Sequence, residues 1–324
     1  MRAVLLITLL LGCGVPGEID SWAPSWSIEN VLTMADGRVL VFGRTPEYGV
    51  WMGRVQDGSI VDRQIVIPKG QLAAVGAGPD GTLRLALDGG SQFEIISSAN
   101  GGKDWTYPEI TEGTIGSFLP DGGFFYLDET SAGPRNPHRV FPDGLDVEYP
   151  LEREQGAALC GEFGVGSDGY EMHRIRLDPE SPEITDRWEV TGRNQAFMPD
   201  GDQIVVSGLD GVYRLRAGSP EMEQLIENAS PEFGAIVSLR VASDGTILYV
   251  NENEGRYDII TAEGTRHELP LQPPLTSPAG MHHESYLCTS DVIARVGDLL
   301  YVAQGNLAII DLGDGSVRAV EATP

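Results

Sequence analysis

The chain has 324 residues, of which 41 are Gly and 21 are Pro. These residues interrupt helix interiors so often that a long-helix or coiled-coil protein is excluded, and a hydrophobic fraction of 41% disfavours wholesale disorder. The balance of 22 Lys and Arg against 48 Asp and Glu gives a net charge of −26, which argues against nucleic acid or an anionic lipid surface as a partner.

The chain begins with MRAVLLITLLLGC, which has the organisation of an export signal. Arg2 precedes an apolar run from Ala3 to Leu11, which is shorter than the roughly 20 residues that span a bilayer. The run ends in Leu10-Leu11-Gly12-Cys13, which resembles the lipobox of bacterial lipoproteins. The resemblance implies acylation of Cys13 and, since Gly14 rather than Asp follows, sorting to an outer membrane where there is one. The alternative is an ordinary cleaved signal with an incidental cysteine.

These features divide the chain into a lipoprotein signal peptide at 1–12, a lipidated tether at 13–24 and one folded domain at 25–324. We therefore expect an exported protein of the cell envelope, anchored to the membrane through lipid such as palmitate on Cys13. Exported proteins meet an oxidising compartment, and the remaining cysteines, Cys160 and Cys288, form an even pair. They either form a disulfide or remain buried reduced thiols.

Along the folded domain, a tight Asp-Gly turn between two apolar segments recurs. Asp-Gly in this setting is a strong hairpin signal, because Gly adopts positive φ without a steric clash. The turns come at Asp36-Gly37, Asp80-Gly81, Asp121-Gly122, Asp200-Gly201, Asp244-Gly245 and, in reverse order, Gly297-Asp298. They recur roughly every 43 residues, and the double interval between Asp121 and Asp200 predicts a degenerate turn at Gly161. The period predicts seven units.

A second hairpin follows the first in each unit, with third strands such as VWMGRV and NLAIID. Four short antiparallel strands in a unit of about 40–45 residues are typical of a β-propeller blade. We therefore predict an all-β fold, a β-propeller of seven four-stranded antiparallel blades. Six or eight blades remain open, and the regular period disfavours a pair of β-sandwiches. The segment 222–228 is open between a strand and a short helix.

Residues 98–105, SANGGKDW, resemble the Asp-box (BNR) motif Ser-x-Asp-x-Gly-x-Thr-Trp of sialidase- and sortilin-type propellers. Ser98, Gly102 and Trp105 match the motif, whereas Asn100 stands at the usual Asp and Asp104 at the usual Thr. The resemblance implies a structural turn between the third and fourth strands of a blade, in a propeller of the Asp-box or YVTN-like repeat class. It gives little support to a sialidase, because the chain has one convincing box and Phe42-Gly43-Arg44-Thr45-Pro46 matches the upstream arginine motif only loosely.

Function in propellers usually lies on the face where strands two and three, and successive blades, are joined. Two long loops belong to that face: residues 128–138 hold Asp128, Glu129, Arg135 and His138, and residues 270–288 hold His282, His283 and Glu284. Glu252 lies on an equivalent loop, and together these side chains are the candidate binding residues. Imidazole and carboxylate groups suit a metal, but no HExxH-type spacing supports one. No cofactor is therefore predicted, and Ca²⁺ or another divalent ion is left open.

The predicted function rests on a rigid loop face without a recognisable catalytic constellation. The sequence has no Gly-x-Ser-x-Gly nucleophile motif, phosphate loop or zinc-ribbon spacing. We therefore predict a monomeric, non-catalytic scaffold that binds an envelope protein or a small ligand. A metal-dependent hydrolase or lactonase similar to gluconolactonase is the alternative, followed by a glycan-active Asp-box enzyme.

Overall fold

The structure is a computed structural model that describes most of the chain from Trp26 to Ala322. The described residues are 26–89, 92–119, 121–127, 137–149, 158–160, 163–167, 172–176, 178, 180, 183–189, 194–197, 202–207, 211–227, 236–251, 255–271, 275 and 292–322. Within these ranges all regular structure is β, and no helix long and apolar enough to cross a membrane is found.

The strands form seven sheets of four, each sheet built from consecutive strands of the chain. The first three blades contain β1 (Ser27–Thr33), β2 (Val39–Arg44), β3 (Val50–Gln56) and β4 (Ser59–Ile67); β5 (Gln71–Ala77), β6 (Leu83–Asp88), β7 (Gln92–Ser98) and β8 (Thr106–Glu112); and β9 (Thr114–Phe118), β10 (Phe124–Leu127), β11 (Pro137–Val140) and β12 (Asp146–Glu148). Blades four and five contain β13 (Ala158–Cys160), β14 (Phe163–Ser167), β15 (Met172–Arg176) and β16 (Glu183–Trp188); and β17 (Asn194–Phe197), β18 (Gln203–Ser207), β19 (Gly211–Arg216) and β20 (Met222–Glu227). Blades six and seven contain β21 (Ile236–Val241), β22 (Ile247–Asn251), β23 (Arg256–Ile260) and β24 (Arg266–Pro270); and β25 (Ile293–Val296), β26 (Leu299–Gln304), β27 (Asn306–Asp311) and β28 (Val317–Val320).

This arrangement confirms the predicted all-β propeller of seven four-stranded antiparallel blades in a ring. The alternatives of six or eight blades, and of two sandwiches, are wrong. In the fourth blade, Cys160 at the end of β13 pairs with Phe163 at the start of β14, so these strands flank Gly161. The sequence left residues 222–228 undecided between a strand and a short helix. The described part of this segment forms a strand, β20, which pairs with β19 from Leu215 to Gly211.

The Asp-Gly turns join the first and second strands, as their residue types dictate. Gly37, Gly81 and Gly245 have φ of 80°, 79° and 90°, in the left-handed region that glycine adopts without strain. The preceding carboxylates complete the turns, since Asp80 Oδ1 accepts the amide of Thr82 at 2.9 Å and Asp244 Oδ1 accepts that of Thr246 at 2.9 Å. The sequence of each turn therefore fixes the register of its hairpin.

Apolar clusters fill the seams between neighbouring blades. One cluster joins blades one and two through side chains such as Phe42 and Leu85, and another joins blades seven and one through side chains such as Ile28 and Leu307. Fully burying a large apolar side chain contributes about 1.5–3 kcal/mol, so the seams are the main source of stability. The ring closes where Ile28 exchanges backbone hydrogen bonds with Gly305 at 2.7 and 3.0 Å.

The two faces of the ring have different chemistry. We name the face carrying the β1–β2 and β3–β4 type connections the turn face, and the face carrying the β2–β3 connections and the links between blades the loop face. On the turn face, polar side chains reach from one blade to the next, as when Arg295 Nη1 approaches Glu263 at 2.9 Å and Asp244 at 3.4 Å. Trp188 Nε1 likewise donates to the Ser219 carbonyl at 2.8 Å. These contacts tie adjacent blades together at that end.

Candidate ligand-binding cleft

A cleft of about 340 Å³ opens on the loop face at the boundary of blades one and two. It is lined by Arg44, Glu47, Tyr48, Lys69, Gly70 and Gln71. Two chain segments form it: the loop 45–49 between β2 and β3, and the link 68–70 between β4 and β5. Its volume lies at the lower end of the range for small-molecule sites, which is about 300–1,000 Å³.

The loop 45–49 is a tight turn that its sequence, Thr-Pro-Glu-Tyr-Gly, explains. The Tyr48 amide donates to the Thr45 carbonyl at 3.0 Å, and the Thr45 amide donates to the Gly49 carbonyl at 2.8 Å. Thr45 Oγ1 also accepts the Gly49 amide at 2.9 Å. Pro46 suits the second position of such a turn because its ring fixes φ. Three hydrogen bonds of ordinary length therefore hold the loop in its turn conformation.

Tyr48 has an unusual backbone conformation in this loop. Its φ is +61°, in the left-handed region where a bulky side chain is strained, and the position is normally filled by Gly or Asn. The other described non-glycine residues with positive φ, Asp57 and Asp62, are of a type that tolerates it. Tyr48 is also 62% exposed as a residue, so burial does not offset the strain. Strained residues of this kind cluster at functional sites.

The two segments of the cleft are joined by backbone contacts. The Gly70 amide donates to the Tyr48 carbonyl at 2.8 Å, which sets Lys69 beside Tyr48. Gly49 approaches the β4–β5 link so closely that a Cβ would lie 2.7 Å from the carbonyl oxygens of both Ile67 and Pro68. Only glycine fits there, so the close approach of the loop to the link depends on Gly49.

The charges lining the cleft are only partly neutralised within the protein. Arg44 Nη2 pairs with Glu29 Oε1 at 2.8 Å, although the Arg44 side chain remains 38% exposed. Lys69 and Glu47 are exposed, and within the part of the chain that the structure describes neither forms an ion pair, with the other or with a third residue. One positive and one negative side chain are therefore available to a ligand.

A second polar cluster lies near the loop face of blade three. His138 Nδ1 lies 3.1 Å from Asp146 Oδ1, and the Tyr126 hydroxyl donates to Asp146 Oδ2 at 2.7 Å. The His138 ring stacks on the Tyr126 ring with centroids 4.6 Å apart, and its Nε2 is buried and has no hydrogen-bond partner among the described residues. A carboxylate on Nδ1 favours the tautomer whose Nε2 accepts a proton, which is the arrangement that general bases use. The buried position of Nε2 limits access to it.

The segment resembling an Asp-box forms the turn between β7 and β8, the third and fourth strands of blade two, on the turn face. Asn100 Oδ1 accepts the amides of Lys103 and Asp104 at 3.1 and 2.9 Å, and Asn100 Nδ2 donates to Asp104 Oδ2 at 2.8 Å. Ser98 Oγ accepts the Gly102 amide at 2.8 Å, and Trp105 packs on the apolar cluster of blades one and two. These side chains hold the turn, and membership of the Asp-box class stays a prediction.

Most of the predicted site residues lie outside the described residues. They are Cys13, Asp128, Glu129, Arg135, Glu252, His282, His283, Glu284 and Cys288. Cys160 ends β13, but its side chain lies outside the description, so the disulfide also stays a prediction. Among the described residues, no group of three His, Cys, Asp or Glu side chains is arranged to hold a metal ion. A divalent ion is likewise still a prediction.

Sequence reasoning missed Glu47, Tyr48, Lys69 and Gln71 as site residues. The sequence contained two features that could have pointed to them. Lys69 is one of two lysines in the chain, and Thr45-Pro46 starts a turn on the loop face. Neither feature places the two segments against each other, because the loop before β3 and the link after β4 meet only once these two strands have paired.

No protein-family model matches the chain, and no curated protein sequence matches it. The structure is similar to an uncharacterized protein, lmo1340, from Listeria monocytogenes EGD-e, with a TM-score of 0.58 and 8% identity over 93% of this chain and 96% of that one. A puromycin hydrolase has a TM-score of 0.57 and 14% identity over 93% of this chain and 54% of that one. A streptogramin B lyase has a TM-score of 0.52 and 13% identity over 91% and 94%. At these identities the likenesses show the fold alone, which is the β-propeller.

Proposed function

We propose that this protein is a cell-envelope β-propeller, anchored through lipid on Cys13, that binds a small charged ligand in the cleft between blades one and two without catalysing a reaction. The observation that carries the proposal is the strained, exposed Tyr48 held beside Lys69, which forms no ion pair with any described residue. A folded protein retains strain of this kind where the strained residue has a role. The role proposed here is to present an aromatic ring to a ligand.

The pairing of arginine side chains elsewhere in the protein supports a ligand-binding role for Lys69. Typical described arginines are paired with carboxylates, such as Arg38 with Asp36 at 2.6 Å, Arg54 with Asp62 at 2.8 Å and Arg139 with Asp121 at 2.8 Å. With 48 acidic residues against 22 basic ones, a cation has many potential carboxylate partners. Lys69 nevertheless lines the cleft without forming an ion pair to any described carboxylate, which leaves its ammonium available to an anionic group of a ligand.

The experiment compares binding by two variants that remove the same charge from opposite faces. Lys69→Gln alters the cleft, and Lys103→Gln, in the turn between β7 and β8, is the matched control. Thermal shift and isothermal titration would be run with succinate, D-glucuronate, D-glucose and L-phenylalanine as probes. We expect a charged probe to bind the wild type and Lys103→Gln equally and to bind Lys69→Gln about tenfold more weakly. The absence of any probe whose binding depends on Lys69 would contradict the proposed function.

The anchor is tested separately, because the cleft and the lipid lie in different parts of the chain. A Cys13→Ala protein expressed in a bacterial host is expected to lose incorporation of labelled palmitate and to leave the membrane fraction. A Cys13→Ala protein that remains labelled and membrane-bound would show that the anchor is assigned wrongly, while leaving the cleft assignment intact.

A further inference from the structure

The cleft carries one positive and one negative side chain that are available to a ligand. This pair defines the chemical class of the ligand more closely than the proposed function does. Lys69 supplies an ammonium and Glu47 a carboxylate, and the two form no ion pair although both line the same small space. Opposite charges that lie in one cleft without neutralising each other leave room for a ligand between them. A ligand that carries a carboxylate and an ammonium group satisfies both.

The charge of the whole protein favours the same class of ligand. At −26, the molecule repels anions, and the repulsion extends over about 8 Å at physiological ionic strength. A zwitterion has no net charge, so this field neither repels nor attracts it as a whole. Arg44 adds little attraction for a pure anion, because Glu29 already accepts its hydrogen bond at 2.8 Å. A net anion therefore gains one contact at Lys69 against an unfavourable field, whereas a zwitterion gains two contacts without that cost.

The remaining lining groups indicate a ring and a polar group on the ligand. The exposed Tyr48 ring offers a stacking surface, and an aromatic pair contributes about 0.5–1.5 kcal/mol beyond the area that it buries. The Gln71 side chain supplies an amide donor and an amide acceptor at the edge of the cleft. A volume of about 340 Å³ suits a single amino acid better than a long peptide.

We infer that the cleft binds a zwitterionic amino acid with an aromatic or other ring-bearing side chain. Lys69 takes the carboxylate, Glu47 the ammonium group, and Tyr48 the ring. This inference rests on the proposed function, because it names the ligand of that same cleft.

The test uses three probes that share a phenyl ring and differ in charge. L-phenylalanine has both charged groups, 3-phenylpropanoate has the carboxylate alone, and 2-phenylethylamine has the ammonium group alone. Titration calorimetry of the full folded chain is expected to show L-phenylalanine binding about tenfold more tightly than either of the others, since each loses one charge-assisted contact. Lys69→Gln is expected to abolish the preference over 2-phenylethylamine, and Glu47→Gln the preference over 3-phenylpropanoate.

The outcomes separate this inference from the proposed function. Equal binding of L-phenylalanine and 3-phenylpropanoate, lost in Lys69→Gln, would overturn the zwitterion assignment and leave an anion-binding cleft. Tighter binding of succinate or D-glucuronate than of L-phenylalanine, dependent on Lys69, would overturn it in the same way. No Lys69-dependent binding of any probe would overturn both. Lys103→Gln and an unchanged melting temperature of each variant show that the fold is intact.

Discussion

Tyr48 occupies a position whose backbone conformation and exposure conflict with the preferences of a tyrosine. Its φ of +61° suits Gly or Asn, and its ring is exposed, so neither backbone preference nor burial explains a tyrosine there. The position is nonetheless fixed on both sides, by the Thr45 carbonyl and by the Gly70 amide. Proteins exchange stability for function at positions of this kind, and binding is the function that we propose for Tyr48.

This conflict gives a prediction of opposite effects on stability and binding. Tyr48→Asn is expected to raise the free energy of unfolding by about 1 kcal/mol, because Asn tolerates the left-handed region, and to weaken L-phenylalanine binding. Denaturant titration measures the first effect and calorimetry the second. Tyr48→Phe is the control, since it keeps the strain and the ring and should change neither quantity much. A Tyr48→Asn protein that is destabilised, or that binds as tightly as the wild type, would contradict this role for Tyr48.

At the level of elements, the turns on the turn face make two kinds of contact. Some contacts stabilise the turn itself, and others join neighbouring blades. Backbone amides two residues on donate to Asp36 and Asp80, and these hydrogen bonds hold the pKa of both carboxyls below the usual value. In blade six, the Arg295 guanidinium from the next blade is the main cause that lowers the pKa of Glu263 to about 2. Burial acts differently on Arg174, where desolvation lowers the pKa of the guanidinium despite nearby Asp186 and Asp202. Ionised carboxylates are thus part of the contacts between turns.

The Glu263–Arg295 contact predicts a pH-dependent contribution to stability. Because the folded pKa of Glu263 lies below its ordinary value of 4.5, the contribution is complete above about pH 4.5 and is lost as the pH falls through about 2. The melting temperature of Glu263→Gln should therefore fall below that of the wild type at pH 6, and the difference should shrink towards pH 2. Glu321→Gln controls for removing one negative charge. A difference that stays constant from pH 6 to pH 2 would show that the ion pair contributes nothing.

The blades were predictable from the sequence, whereas the cleft was not. Asp36-Gly37, Asp80-Gly81 and Asp244-Gly245 specify their hairpins locally, and their period sets the number of blades. The cleft depends on the contact of Gly70 with Tyr48, which joins the link after β4 to the loop before β3 and has no sequence signature. His138 was predicted as a loop-face residue, but its partners Tyr126 and Asp146 come from other strands and were not. Local turn chemistry can be predicted from sequence, and contacts across strands and seams emerge only from the folded ring.

At the level of the whole molecule, the closed ring gives the two faces separate roles. The apolar seams and the backbone pairing of Ile28 with Gly305 make a rigid frame, and the turn-face contacts reinforce one end of it. The loop face carries the proposed ligand site on connections that this rigid frame holds in place. In the proposed arrangement, a lipid on Cys13 keeps this frame at the envelope, and the cleft samples small molecules there.

A crystal structure of the protein grown with L-phenylalanine tests the central claim most directly. The account predicts density for one molecule between blades one and two, with its carboxylate at Lys69 Nζ, its ammonium group at Glu47 and its ring against Tyr48. Calorimetry on the same preparation would fix the concentration at which the site is filled. An empty cleft at that concentration, or L-phenylalanine bound elsewhere on the propeller, would contradict the account.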